Sequence, residues 1–161
     1  MINIRKATIK DLEGILELGK LLAVHERKCD LLLTPFDIKK SKAKYKRRFA
    51  DSKACLFVAE KDGDIIGFVY GLLKKSPSHI KGHKKIGRLQ ACYVKKEFRR
   101  KQVATKLTDE LLYWFGKQNV TLIDLNVYAN NEAINAWRKI GFKDYDVQMR
   151  LFLKRKRNDG L

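Results

Sequence analysis

LQACYVKKEFRRKQVATKL, residues 89–107, followed by TLIDLNV at residues 121–127, reads as strand, basic loop, helix and strand. Ile86–Val94 has the β-branched and aromatic content of a strand. Gln102–Gln118 then sets Val103, Leu107, Leu111, Leu112 and Phe115 along one side at helical spacing. Asn119 suits the left-handed conformation that ends helices, and Val120–Val127 is a second apolar strand. A strand–helix–strand crossover makes its two strands parallel. The helix mouth is the unusual part. Arg99, Arg100 and Lys101 put cations where unpaired N–H groups already carry partial positive charge. That arrangement weakens the helix unless an anion such as phosphate sits there, and solvated loop cations are the plain alternative.

Before this unit, Ile2–Ala7 alternates as a half-buried strand, and Thr8 with Asp11 forms a capping-box pattern. Leu12, Ile15, Leu16, Leu18, Leu22 and Ala23 predict a helix running to about His25. A second, lysine-rich helix follows Pro35, with Ile38, Tyr45 and Phe49 near one face. Cys55–Glu60 and Asp64–Leu73 flank Lys61-Asp62-Gly63, a hairpin signal, and Ser76–Gly82 is a loop. After the unit, Asn131–Ile140 is a short helix stopping at Gly141, and Phe142–Leu153 reads as a final strand. The expected order is β-α-α-β-β-β-α-β-α-β within one domain over residues 1–154, then a basic tail at 155–161.

The 161 residues are enough for one buried core, and 45% apolar content supports a globular chain despite 34% charged residues. No apolar run reaches the roughly 18 residues that span a bilayer. The N-terminus lacks the basic-then-apolar layout of a secretory signal. Cys29, Cys55 and Cys92 are odd in number and widely spaced, so neither a disulfide framework nor a metal site is expected, and the expected location is cytoplasmic. Lys and Arg number 36 against 18 Asp and Glu, a net charge of +18. Basic clusters lie at 39–48, 74–85, 95–106 and 154–157. They suit either a polyanion partner, including nucleic acid, or a lysine-rich solvated surface. Their spread along the chain and the scarcity of interleaved aromatics weigh against nucleic acid.

Residues 89–107 resemble the acetyl-CoA-binding motif of the GNAT acetyltransferases, R/Q-x-x-G-x-G/A, with Arg99, Gln102 and Ala104 at its defined positions. YANNEAINAWRKIGF, residues 128–142, resembles the family's N-x-x-A-x-x-x-Y-x-K-x-G-F ending. Asn130, Ala133, Trp137, Lys139, Gly141 and Phe142 match it in position. The resemblance implies an α/β (α+β) fold: a mixed, mostly antiparallel sheet, two splayed parallel strands, and about four flanking helices. It implies acetyl-CoA as cosubstrate, CoA as product, an amine acceptor, and acetyl transfer to a primary amine of a small molecule, peptide or protein. The pantetheine arm would pair with backbone of Cys92, Tyr93 and Val94. The pyrophosphate would meet the amides of Arg100, Lys101, Gln102, Val103, Ala104 and Thr105, with the Thr105 hydroxyl as a further donor. Asn130, Ala133 and Trp137 would border the cofactor's arm. Homodimers are frequent in the family, and no residue in the sequence demonstrates one.

Two positions depart from the family pattern. Its usual base falls at Gln90 or Ala91, which cannot titrate, and its usual tyrosine acid is Trp137, whose indole N–H donates a hydrogen bond only. Candidate catalytic groups are therefore Tyr93, Tyr128, Glu26 and Trp137, with His79 and His83 from loops and a water relay as further options. Each has an ordinary structural alternative: Tyr93 and Trp137 as packing, Tyr128 against cofactor, the histidines as exposed loop residues. Acceptor contacts are expected from Glu26–Phe36 and Lys143–Asp146, where Glu26, Asp30, Asp144 and Asp146 would attract a cationic amine. A catalytically weak CoA-binding or RNA-binding module on the same fold is the alternative function.

Overall fold

The sheet grows outward from a hairpin. In a computed structural model describing residues 1–153, β2 (Ala54–Lys61) and β3 (Asp64–Lys75) pair antiparallel across Asp62-Gly63. Both turn residues take positive φ, 52° and 88°, as a two-residue turn matching strand twist requires. β1 (Asn3–Lys6) adds to the free side of β2, and β4 (Lys85–Val94) adds antiparallel to β3. β5 (Ile123–Asp124) adds parallel to β4, so the order is β1-β2-β3-β4-β5. The basic tail at 155–161 and the cluster at 154–157 lie outside the described residues.

Helices cover both faces because the strands are apolar on both faces. On β2, Leu56 and Val58 turn toward α1 (Leu12–Cys29) and α2 (Ile38–Phe49), burying Ile15, Leu16, Leu18 and Tyr45. Cys55, Phe57 and Ala59 turn the other way, onto Val103, Leu107, Leu111 and Phe115 of α3 (Val103–Lys117). α4 (Ala133–Ile140) follows β5 and ends at Gly141, whose φ is 116°. Asn119 ends the α3 segment with φ 54°, as its side chain tolerates. No helix among the described residues is long and apolar enough to cross a membrane.

The chain departs from the sequence expectation at its C-terminal end. Val120–Val127 was expected to be a full strand, yet pairing is confined to Ile123–Asp124. Phe142–Leu153, expected as a last strand, has no regular structure and is exposed beyond Phe142. Alternation specifies which face a strand would bury, but an extended segment becomes a strand only where an edge offers partners for its N–H and C=O groups. α1 runs to Cys29, past the expected stop near His25, with Arg27 and Lys28 in its last turn where cations suit the dipole.

The N-terminal edge is tied by Arg5. Its guanidinium donates to both Asp11 oxygens, each at 2.8 Å, and to Glu60 at 2.7 and 2.9 Å. Asp11 in turn accepts the Thr8 N–H at 2.8 Å, the half of the capping box read from sequence. Hydrogen bonds from Arg5 hold the buried Asp11 carboxyl below its ordinary value. Asp11→Asn should therefore lower stability by about 2 kcal/mol at pH 7. A depressed folded-state pKa contributes stability above the unfolded value, lost as pH falls, so urea titrations should show the gap from wild type closing below about pH 4.

Candidate active site

β4 and β5 touch at Gly87↔Ile123 and Arg88↔Asp124 and then part. Gly87 permits the contact: a Cβ there would meet Phe115 at 2.9 Å and Ile123 at 3.0 Å. Beyond it, β4 runs on through Leu89–Val94 with no strand on its β5 side among the described residues. Its backbone groups there are available to an extended ligand, and the chain continues from β5 through Leu125–Val127 without pairing to it.

The mouth of α3 lies just past Val94. Arg100 and Gln102 both adopt left-handed backbone, φ 60° and 59°. Gln102 is the N-cap of α3, and its side chain caps no amide. This explains why glycine suits the family motif here: the position needs positive φ, and glutamine bears a strain glycine would not. Lys106 N–H is the first of the helix to find an acceptor, Gln102 C=O at 3.0 Å. Among the described residues, the N–H groups of Arg100, Lys101, Gln102, Val103, Ala104 and Thr105 have none. Six uncommitted amides on alternating-handed backbone at a helix N-terminus form an anion-binding concavity, which fits a diphosphate. Arg100, Lys101 and Thr105 are exposed around it.

Several expected cofactor contacts have partners within the chain. Arg99 Nε donates to Val94 C=O at 3.1 Å, and its guanidinium lies 5.3 Å from the Tyr93 ring centre. It pins the loop to the end of β4. Asn130 donates to Cys29 C=O at 3.1 Å, joining the β5–α4 loop to α1. The amide that caps α4 belongs to buried Asn131, which accepts from Ala133 N–H at 3.0 Å and faces His25 Nε2 at 3.4 Å. Trp137 is half-buried against the α3-side core, 5.9 Å from Phe142 edge-on, and its indole N–H donates to no described residue. Burial pushes the Cys92 thiol up to about 12, so it is not a thiolate nucleophile at neutral pH.

The opposite side of β4 opens on a cavity of about 190 Å³ between α1 and α2. Glu26, Ser41, Lys44, Tyr45, Gln90 and Ala91 are among its lining residues. Gln90 falls in the register shift where Gly71 pairs with Leu89 and Tyr70 with Ala91. Such a bulge re-aims one side chain of a strand. Loss of hydration raises the Glu26 carboxyl above its ordinary value, against the opposing charges of His25 and Lys44. Desolvation lowers the Lys44 ammonium, and Arg48 adds to the effect. Burial raises Tyr128 as well, with Glu26 the first charge contributing. Tyr93 packs half-buried with the core on the cavity side.

The other acidic candidates are committed. Asp30 pairs with Arg150 at 2.7 Å, Asp144 accepts from Nε and Nη2 of Arg138 at 3.0 and 2.6 Å, and Asp146 accepts Val147 N–H. Glu26 has no such partner among the described residues. The loop histidines are displaced from the site. His83 lies 3.4 Å from Thr121, before β5, and His79 is exposed in the loop before β4. Both belong to the N-terminal end of β4, opposite Val94. That end also carries a second cavity lined by Lys53, Lys74, Lys75, Lys84 and Lys85. Lys44, Gln90 as a bulge residue, and His25 were not among the candidates read from sequence. A bulge and a cavity between two helices leave no local pattern.

Residues 22–142 match the Acetyltransferase (GNAT) family. The chain belongs to that family. It is an acetyltransferase, and acetyl-CoA is its cosubstrate. Among curated proteins no match is found. Solved structures share the fold at low identity. An aminoglycoside N-acetyltransferase, AAC(6')-Iy, in complex with CoA superposes with TM-score 0.79 at 18% identity, covering 96% of this chain and 95% of that one. A predicted acetyltransferase with acetyl-CoA from Clostridium acetobutylicum gives 0.78 at 21%, over 94% and 96%. The aminoglycoside 6'-N-acetyltransferase AAC(6')-IG from Acinetobacter haemolyticus gives 0.76 at 20%, over 94% and 98%.

Gln102→Gly should relieve the left-handed strain at the helix mouth. After the entropy glycine adds to the unfolded chain, a gain of about 0.5 kcal/mol is expected. Gln102→Val should instead lose stability, and thermal melts of the pair in the absence of CoA measure both.

Proposed function

We propose that this protein transfers an acetyl group from acetyl-CoA to a primary amine by direct attack, with the pyrophosphate held on the amides of residues 100–105. The observation carrying this reading is the cradle of six uncommitted N–H groups directly beyond a strand whose neighbour has parted from it. Acetyl-CoA supplies an electrophilic thioester carbon: the amine nitrogen bonds to it, the carbon–sulfur bond breaks, and CoA leaves. The chain's part is to place that carbon and to move one proton. An alkylamine is largely protonated at neutral pH, with a free value near 10.4, so a base must accept its proton. Glu26 serves, through a water in the cavity, because its raised pKa makes it a stronger base than an exposed carboxylate. Trp137 walls the thioester end, and its free indole N–H steadies the departing sulfur. Arg99 acts by holding the loop against Val94.

Thr105→Asp sets a carboxylate among the phosphate-binding amides and should weaken CoA binding at least tenfold by calorimetry. Retained affinity would place the diphosphate elsewhere. Glu26→Gln should lower kcat by about 10²-fold with CoA affinity unchanged, and should flatten the acidic limb of the pH–rate profile. A raised folded-state pKa makes stability greatest below the unfolded value and lower as pH rises through the folded one. The Glu26→Gln variant should therefore melt no lower than wild type at pH 7.

The five-lysine cavity at the far end of the sheet supports a second reading, in which the chain also engages RNA. That reading requires affinity falling steeply with salt, at a slope set by the phosphates neutralised. A flat dependence removes it.

A further inference from the structure

The cavity between α1 and α2 has hydrogen-bond donors on its α2 side and a carboxylate on its α1 side. Ser41, Lys44 and Tyr45 stand at i, i+3 and i+4 of α2, a spacing that gathers three side chains on one helix face. Glu26 of α1 lines the same cavity. Tyr45 is only 3% exposed, and its hydroxyl bonds to no described residue. That oxygen lies 3.8 Å from where a Cβ on Gly19 would stand, and Gly19 is itself a lining residue, so the hydroxyl borders the cavity. Buried hydroxyls are normally paired, and this one points to a ligand group. The Lys44 side chain is exposed at the rim, with its ammonium 4.7 Å from the centre of the Tyr45 ring. Lys44 and Glu26 feel each other's charge, yet neither forms an ion pair among the described residues. The neighbouring cation, Arg48, is taken by Asp51 at 2.8 Å.

We propose that the acceptor is a zwitterion of amino-acid size, its amine at Glu26 and its carboxylate on Lys44, Ser41 and Tyr45, an assignment that rests on the transfer reading above. Charge balance selects this class. The cavity holds one anion and one free cation, so a ligand carrying one of each leaves neither unpaired. A polyamine would set a second ammonium against Lys44. A plain alkylamine would leave the Lys44 charge and the Tyr45 hydroxyl unanswered. A phosphate would bring about two negative charges to a single ammonium. Size agrees: about 190 Å³ falls below the roughly 300 Å³ at which pockets begin to enclose drug-sized molecules. Leu22, Ala23 and Phe36 take the carbon skeleton between the two polar ends. Lys44 is thus a specificity-determining residue: by fixing the carboxylate it sets where the amine stands relative to Glu26. In the reaction the amine nitrogen bonds to the thioester carbon and the carbon–sulfur bond breaks. One ammonium proton leaves by way of Glu26, a second ends on the CoA sulfur, and the carboxylate stays unchanged.

Acetyl transfer to a panel of α- and ω-amino acids, each run beside its own carboxamide, reads the charge requirement. At least one acid should exceed its carboxamide in kcat/KM by roughly 30-fold, with most of the gain in KM. Carboxamides or diamines accepted as well as the acids overturn the proposal and leave transfer to amines intact. Lys44→Gln should collapse the preference to below about threefold, and Lys44→Arg should restore part of it. Tyr45→Phe keeps the ring and should raise KM for the acid by about fivefold at unchanged kcat. A preference that survives Lys44→Gln places the carboxylate elsewhere and refutes the assignment. If no amine of any charge is acetylated, the transfer reading fails by itself, and calorimetry on the CoA-loaded protein still decides the subsite. An acid binding about tenfold tighter than its carboxamide supports it, and equal or absent binding refutes it.

Discussion

Two parallel strands that meet for two residue pairs and then separate are the constraint behind the rest of this structure. Gly87 lets Ile123 and Phe115 close against β4, and Arg88 lies 3.0 Å from Asp124 across the pair. Past that point, β4 is braced among the described residues from one side, by β3 through Gly67↔Val94 and Phe68↔Tyr93. A strand braced on one edge keeps its shape and leaves the other edge's hydrogen-bonding groups for a ligand. The two-sided core fixes its position: α3 packs beneath it, α1 and α2 above it.

The helix mouth adds a second unsatisfied set of donors at the same place. Left-handed residues at 100 and 102 turn the loop after β4 into the start of α3, and the first amides of the helix are left without acceptors. Arg100 and Lys101 stand beside those amides, an arrangement unfavourable for an empty helix end and favourable around an anion. Strain at Gln102, uncapped N–H groups and exposed cations are three local costs that a bound diphosphate would offset. Arg99, which motif reading places among the cofactor contacts, is spent on fastening this loop to Val94.

Carboxylates in this strongly basic chain differ according to whether a cation or a cavity surrounds them. Asp11, Asp30 and Asp144 all accept from arginine, and each is held below its ordinary pKa by that bond. Glu26 instead faces a cavity shared with Lys44 and Gln90 and is shifted upward by lost hydration. The same carboxyl group is thus shifted in opposite directions according to what packs around it.

The sequence by itself determined the family, the strand and helix order through α4, the hairpin at Asp62-Gly63, and the helix mouth at residues 99–105. These follow from periodicity, turn chemistry and motif spacing, all carried by neighbours along the chain. Only the tertiary structure decided that Arg99 and Asn130 hold backbone, that Asp30 and Asp144 are neutralised, and that His79 and His83 lie at the wrong end of β4. It also decided that β5 pairs for two residues and that 142–153 finds no edge, although its alternation reads as a strand. Pairing, ion-pair choice and cavity lining depend on residues distant in sequence, such as Asp30 and Arg150 or Gly87 and Ile123. A local pattern specifies what a segment can bury, and only the folded chain supplies what it is buried against.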